Sequence, residues 1–342
     1  MTTTTRVPKT FQHSSRSRAM LAALLLSLGL LGVVFLSLTN GSVELSWSEL
    51  LAAALRQGSD IHQTIFWDLR LPRVLAALIV GAALGLSGAL MQGMLRNGLA
   101  SPFLLGVSAG AGLMVVLLIG LNLLRIWVPL GAWLGAVVTA LLVYSLARTG
   151  TTLSVERLIL AGVAFNAFFG SVQSLFLLNS QDGQFQAALN WLIGSLNGRG
   201  WTEVTIVGPG VVVAVLVGCL LARQVNILCL GDDLATGLGI SLLRSRCLIG
   251  AVATLLAAGA VSIAGLVGFV GLIVPHGVRL LVGTDYRLVL PFSTLGGAFV
   301  LAGADLLARI GPVELPVGGV TALLGAPVFI WLLYRRRAIG GR

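Results

Sequence analysis

The sequence predicts an all-α integral membrane protein of about ten transmembrane helices, and three observations predict it. Charged residues are only 10% of the 342 and apolar residues 57%, against roughly a quarter charged in ordinary globular chains. Mean hydropathy is +0.99, and a soluble fold could not cover its surface with so few charges. The apolar residues also come in long runs between short polar breaks, and each run approaches the roughly 20 residues that a helix needs to cross a bilayer core.

In chain order, residues 1–18, with Arg6, Lys9, Arg16 and Arg18, read as a disordered basic tail ahead of a single polytopic domain, 19–342. The apolar run from Met20 has no small-residue cleavage pattern before Ser37–Asn40, so 19–38 reads as an uncleaved first span rather than a signal peptide. Further spans fall at 72–94, 102–122, 127–147, 158–178, 204–222, 247–265, 268–283, 288–307 and 317–334. The Gly-rich stretch from Ala264 to Gly271 divides one long run into two of these. Gly81-xxx-Gly85, Gly106-xxx-Gly110 and the series Gly265, Gly268, Gly271 are small-residue seams that let helix backbones approach closely. A span broken by glycine is also a candidate moving element.

Ten spans put both termini on one side. Sixteen of the 22 Lys and Arg residues fall on that side, leaving Arg56, Arg70, Arg73, Arg125, Arg199 and Arg309 on the other. The positive-inside rule makes the richer side, and both termini, cytoplasmic. The net charge of +10 is therefore a topology signal and no nucleic-acid footprint, since the basic residues form no basic face. Cys219, Cys229 and Cys247 show no metal or redox spacing.

Several chemistries are excluded or disfavoured. The single lysine, Lys9, lies in the tail, so the chain carries no Walker A loop, whose lysine must reach the nucleotide's phosphates. No H-E-x-x-H or paired-carboxylate constellation appears, and no cofactor is implied. Gly106-Val107-Ser108-Ala109-Gly110 fits G-x-S-x-G, but in an apolar helical run rather than at a strand-turn-helix elbow. The acidic residues sit in loops or near span ends, which argues against an ion-coupled secondary transporter with mid-membrane relays. Asp305 is the deepest, and it is placed to pair with Arg309 one turn on. Any energy for transport would come from a partner.

Three segments carry a resemblance. The first is Leu69-Arg70-Leu71-Pro72-Arg73, followed by Gly81, Gly85, Gly88, Gln92 and Arg96-Asn97-Gly98-Leu99-Ala100-Ser101-Pro102. The second is Leu230-Gly231-Asp232-Asp233-Leu234-Ala235-Thr236-Gly237-Leu238-Gly239. The third joins Gly268-Phe269-Val270-Gly271-Leu272-Ile273-Val274-Pro275-His276 to Glu314-Leu315-Pro316-Val317-Gly318 and Leu324-Gly325-Ala326-Pro327. Together, from about residue 65 to the C-terminus, they closely resemble the FecCD family, the permease subunits of type II ABC importers for ferric siderophores, haem and cobalamin. Gly98 stands where most members have proline, and Gly319 where a β-branched residue is common; Gly98 should loosen its turn.

The resemblance implies a type II importer permease fold in a bacterial inner membrane. It also implies a second permease subunit (homo- or heterodimer), two cytoplasmic ATP-binding subunits and a periplasmic or lipid-anchored substrate-binding protein. A ferric siderophore is the expected cargo, with haem or cobalamin as alternatives. Arginines matching Arg70, Arg73 and Arg309 receive carboxylates of the binding protein. Arg70 and Arg73 straddle Pro72 at the expected start of a span, where proline fits but a cation opposes the helix dipole; lipid headgroups are the competing partner. Gly231, Asp232, Asp233, Leu234, Ala235 and Gly239 match the coupling helix that inserts into the ATPase, within a loop of about 224–246, and both aspartates fall in its first turn. Asn97, Ser154, Val155 and Glu156 correspond to the gate or pathway region. Pro275 and His276 read as a structural or gating pair, since His276 has no second metal ligand at suitable spacing.

Overall fold

A computed structural model describes residues 10–41, 43, 45–121, 126–149, 152–180, 182–311 and 313–340. Its helices run in the order α1 (Thr10–Thr39), α2 (Trp47–Ala54), α3 (Asp60–Thr64), a π-helical turn (Ile65–Arg70), α4 (Leu71–Met94), a 3-10 turn (Pro102–Leu105), α5 (Val107–Gly120), α6 (Trp127–Ala147), α7 (Val155–Leu178) and α8 (Asp182–Ile193). Then come α9 (Trp201–Leu220), α10 (Ala222–Cys229), α11 (Asp232–Gly237), α12 (Leu242–Ala264), α13 (Val270–Val282), α14 (Tyr286–Ala308) and α15 (Val317–Gly340). A two-residue antiparallel pairing, β1 (Arg148–Thr149) with β2 (Thr152–Leu153), joins α6 to α7.

The ten expected spans correspond to ten apolar helices. Seven are long and apolar enough to cross a membrane, and α5, α13 and the apolar part of α15 are shorter. The glycine break falls where the composition placed it: α12 ends at Ala264 and α13 begins at Val270, with Gly265 at φ +72° between them. That left-handed conformation is accessible to glycine at little cost.

Three segments differ from the expectation. The first nine residues of the proposed tail lie outside the described residues, and α1 already begins at Thr10. Residues 10–18 contain no Gly or Pro to stop the helix running back from the span. The stretch between the first two spans is not simple loop: Ser46 and Glu49 form a capping box that starts α2, and Leu45, Leu50, Ala53 and Phe66 bury one another in a small satellite cluster. The expected coupling loop is largely helical, built from α10, α11 and the start of α12.

The centre is α4, with 78% of its apolar stretch buried, whereas α1 has only 6% buried and lies at the periphery. The most extensive contacts of α4 are with α14, α12, α13 and α9. Its glycines permit this crowding, since a methyl group on Gly81, Gly85 or Gly88 would collide with the carbonyl oxygens of Gly297, Ser293 and Gly271 respectively. Gly106-xxx-Gly110 is a seam only in part. Gly110 meets α6 at Gly135, while Gly106 adopts φ +72° and closes the 3-10 turn ahead of α5.

Candidate functional site

Two clusters of arginine and aspartate stand at opposite ends of α4, whose 24 residues span about 36 Å at 1.5 Å each. At its N-terminal end the glycine seam sets the register. Gly85 faces Ser293 and Gly81 faces Gly297 on antiparallel α14, and the same pairing carried two turns onward places Arg73 opposite Asp305. Arg73 donates from Nε to both carboxylate oxygens of Asp305, each at 3.1 Å, and from Nη2 to Oδ1 at 2.7 Å. Its Nη1 pairs with Glu314, from the segment leading into α15. Arg309 reaches the same aspartate, with Nε 3.3 Å from Oδ2. Asp305 is 1% exposed, so it is a buried carboxylate shared by two guanidiniums.

Arg70 and Arg309 also close the end of α1. Its last carbonyls have no partner within the helix. Arg70 donates to Leu38 O at 2.6 Å, Thr39 O at 2.8 Å and Val43 O, and Arg309 Nη1 donates to Ser37 O at 3.3 Å. Cations suit this end of a helix dipole. The dipole argument made for Arg70 and Arg73 does not hold, because the π-helical turn runs directly into α4 and neither residue lies at a free helix N-terminus. The three arginines do come together, but buried and engaged by the chain's own carbonyls and carboxylates rather than projecting freely. They line a cavity of about 630 Å³ together with Gly41, Arg199 and Glu314, and Arg309 Nη2 is buried there with no hydrogen-bond partner among the described residues. A neighbouring cavity of about 760 Å³ shares Asn197, Gly198, Arg199 and Glu314 with it.

At the other end of α4 the hub is Asp232, the first residue of α11. Arg246, from the first turns of α12, donates from Nη2 to both Asp232 oxygens at 2.9 Å, and from Nη1 to Leu153 O at 3.3 Å. Arg96, just past α4 and at φ +50°, places Nη2 3.0 Å from Asp232 Oδ1. The Arg246 side chain is 8% exposed and that of Asp232 37%. Ala235 points inward and is fully buried, while Leu230, Leu234 and Leu238 are each more than half exposed. Leu234 and Leu238, four residues apart on α11 and at its end, share its free side, while Leu230 precedes the non-helical Gly231 at φ +109°. Asp233 and Gly239 are exposed as well.

The remaining predicted residues fall in two places. Asn97 adjoins Arg96, and its Oδ1 accepts from Leu99 N at 2.9 Å, which holds the turn that contains Gly98. Ser154 caps α7 by accepting from Arg157 N, and Val155 and Glu156 open that helix beside Leu153. Pro275 and His276 lie elsewhere, inside α13. There Gln92 of α4 donates to Gly271 O and Leu272 O and accepts from Arg279. Near this end Asp285 caps α14. The amide of Arg287, then the side chain of Asn226, hold its carboxyl below the usual carboxylate value. Ser108 sits in the first turn of α5 behind a 3-10 turn, not at a strand-to-helix elbow.

The residues that sequence reasoning left out of the site are Glu314, Arg96 and Arg246. Glu314 lay inside a quoted motif without a role. Arg96 likewise stood inside a quoted motif, and Arg246 was indistinguishable from the other charges that mark the richer side.

Comparison with known proteins places the chain among transport permeases. The FecCD transport family matches residues 29–335. The chain is 38% identical over 322 residues to the hemin transport system permease protein HmuU of Yersinia pestis, covering 91% of this chain and 96% of that one. It is 40% identical over 316 residues to the Fe(3+) dicitrate transport system permease protein FecD of Escherichia coli, covering 91% and 98%. A solved structure of a metal-chelate type ABC transporter in an inward-facing conformation superposes with a TM-score of 0.81 at 30% identity, over 91% of this chain and 98% of that one.

Proposed function

The chain belongs to the FecCD transport family, and from that premise we propose that it is the membrane-spanning permease of an ATP-driven importer whose cargo is a ferric siderophore. The named relatives act on hemin and ferric dicitrate, and the matched structure belongs to a metal-chelate transporter. A metal chelate is the cargo type common to these names; haem and cobalamin are the alternatives within the family.

In this reading the protein is a multi-pass protein of the inner membrane with both termini cytoplasmic. The Asp232 end then faces the cytoplasm and the Arg73 end faces outward. Two permease subunits enclose the pathway. Two ATP-binding subunits lie below, and a periplasmic or lipid-anchored binding protein docks above, around the cavity bordered by Arg70, Arg73, Arg309 and Glu314.

The observation that carries the reading is the segment Gly231–Gly239. A short helix is fixed to the bundle by Asp232 and Ala235, yet presents Leu234 and Leu238 to the outside. An apolar pair on an anchored knob fits a groove on another protein. The permease supplies the passage and the partner supplies hydrolysis.

The test is uptake into proteoliposomes that hold the permease with its ATP-binding subunits and binding protein. Ferric siderophore should accumulate only with ATP and the binding protein present. Uptake driven by an ion gradient without either would assign the chain to the secondary transporters. ATP-dependent uptake of haem or cobalamin in place of the siderophore would overturn the cargo alone.

A further inference from the structure

The short helix α2 carries apolar residues over more of its surface than the protein itself covers. Leu50 and Ala53, three residues apart, face the satellite cluster with Leu45 and Phe66. Trp47, Leu51 and Leu55 recur every four residues and so share a second side, and they are 55%, 43% and 67% exposed. Two apolar sides on a helix of eight residues must meet two apolar surroundings. The cluster supplies one.

The neighbours of the other side identify the second. The ring of Trp47 meets that of Phe35 on α1, with centroids 5.2 Å apart. Phe35 is one turn before the end of α1, whose apolar stretch is almost wholly exposed and is therefore solvated by lipid. The exposed side of α2 thus continues the lipid-facing surface of α1 at its boundary with water. Two further exposed tryptophans stand at that end of the bundle, Trp127 opening α6 and Trp201 opening α9. Trp201 Nε1 donates to Trp67 O in the π-helical turn at 2.8 Å. Tryptophans concentrate at the level of the lipid headgroups.

We propose that α2 is an interfacial helix, lying on the bilayer surface with Trp47, Leu51 and Leu55 sunk about 5–10 Å into the headgroup and acyl boundary. Its occupant is lipid, not a protein partner. Trp67 Nε1 donates to Ala53 O at 3.0 Å, so α2 also ties the membrane surface to the turn that carries Arg70. The lipid contact thereby sets the height at which the Arg70 cavity stands over the bilayer. The inference needs only a membrane-spanning chain and stands apart from the importer reading.

The test places a nitroxide at Leu51→Cys or Leu55→Cys in the permease with its ATP-binding subunits, reconstituted in nanodiscs. Leu28→Cys, exposed in the middle of α1, is the lipid reference, and Asp60→Cys, exposed at the start of α3, the water reference. The parent, labelled at its own three cysteines, gives the background. Labels at 51 and 55 should collide with oxygen as the label at 28 does. They should meet a water-soluble nickel chelate several-fold less often than the label at 60, and adding the binding protein should change neither result.

Nickel collisions equal to those at 60 put the face in water and overturn the proposal. So does nickel access that the binding protein removes, which would make α2 a docking face for that partner. Shielding from both reagents before that protein is added also overturns it, and assigns the face to a second copy of the chain. A further readout needs no label. The fluorescence lost in Trp47→Phe should be a component that lipids brominated near the headgroup quench in the parent; a component they leave untouched overturns the membrane contact.

Discussion

Each end of α4 is organised around one aspartate clamped by two arginines, and the two clamps differ in depth. Asp305 is almost wholly buried, and Arg73 and Arg309 beside it have side-chain exposures of 12% and 9%. Asp232 is over a third exposed, and one of its arginines, Arg96, is exposed as well. The buried clamp joins α4, α14 and the end of α1, all parts of the framework. The shallow one joins that framework to α11, which protrudes. A buried ion pair resists opening because each charge would be left without solvent or partner, whereas an exposed pair opens at small cost. The aspartate of the framework is therefore the deeper one, and that of the protruding segment the shallower.

The largest break in that contrast should come from Asp305→Asn. It leaves Arg73 with Glu314 alone and Arg309 with only carbonyl partners, and removing one member of a buried pair costs about 3–5 kcal/mol. We expect a large fall in the unfolding midpoint in detergent and a poor yield of folded protein. A midpoint unchanged from the parent would show that the burial does not hold the fold. Asp232→Asn should cost less, about 1–2 kcal/mol, because Arg246 keeps Leu153 O and the site admits water. Its effect should shrink as salt is raised from 0.05 to about 0.5 M, where exposed charges are screened. The Asp305 effect should not. Equal salt sensitivity of the two variants would erase the distinction between the clamps.

Much of this arrangement was legible in the sequence, for reasons that also explain what was not. Long apolar runs and the glycines between Ala264 and Val270 act locally, so the spans and their one internal break could be read directly. Gly81 and Gly85 announced a seam, and Asp305 with Arg309 announced a one-turn pair. The partner of the seam was not announced, and without the α14 register nothing brings Arg73 to Asp305. The same gap made Arg70 and Arg73 look like cations without local work, when the carbonyls ending α1 and a buried carboxylate engage them. Arg246 was hidden for a different reason. Basic residues are expected at that end of a membrane protein, so a buried arginine with a fixed role looks like the rest. The short helices α2 and α3 escaped because hydropathy cannot find them, although Ser46-xx-Glu49 is a recognisable helix start.

Glu314→Gln refines the contrast within one clamp. Arg73 is held by two carboxylates, and Glu314, with its side chain 31% exposed, is the shallow one. Arg73 keeps its three contacts to Asp305 in this variant, so the loss should stay below about 1 kcal/mol. Thermal unfolding of the two single variants side by side would measure the difference that burial makes to one guanidinium. A cost for Glu314→Gln equal to that of Asp305→Asn would mean that depth is irrelevant at this end.

The smallest effect belongs to Asp285, the cap of α14 at the Asp232 end. Its carboxylate accepts from Arg287 N at 2.9 Å and from Asn226 Nδ2 at 2.7 Å, and these bonds favour the charged form, so the folded-state value lies below the ordinary one. A group with a depressed value contributes stability above its unfolded value of about 3.9 and loses it as pH falls through the folded value. Asp285→Ala should therefore cost about 1 kcal/mol at pH 7, the usual worth of an N-cap. The gap between parent and variant should stay level down to about pH 5 and narrow below about pH 4. Unfolding midpoints across pH 3 to 7 would follow it. A gap that widens on acidification would mean that the carboxyl prefers its protonated form in the folded protein, against the two donors placed around it. A gap that narrows as expected would fit an end of the molecule secured by shallow contacts that water and protons can reach, unlike the buried clamp at the other end.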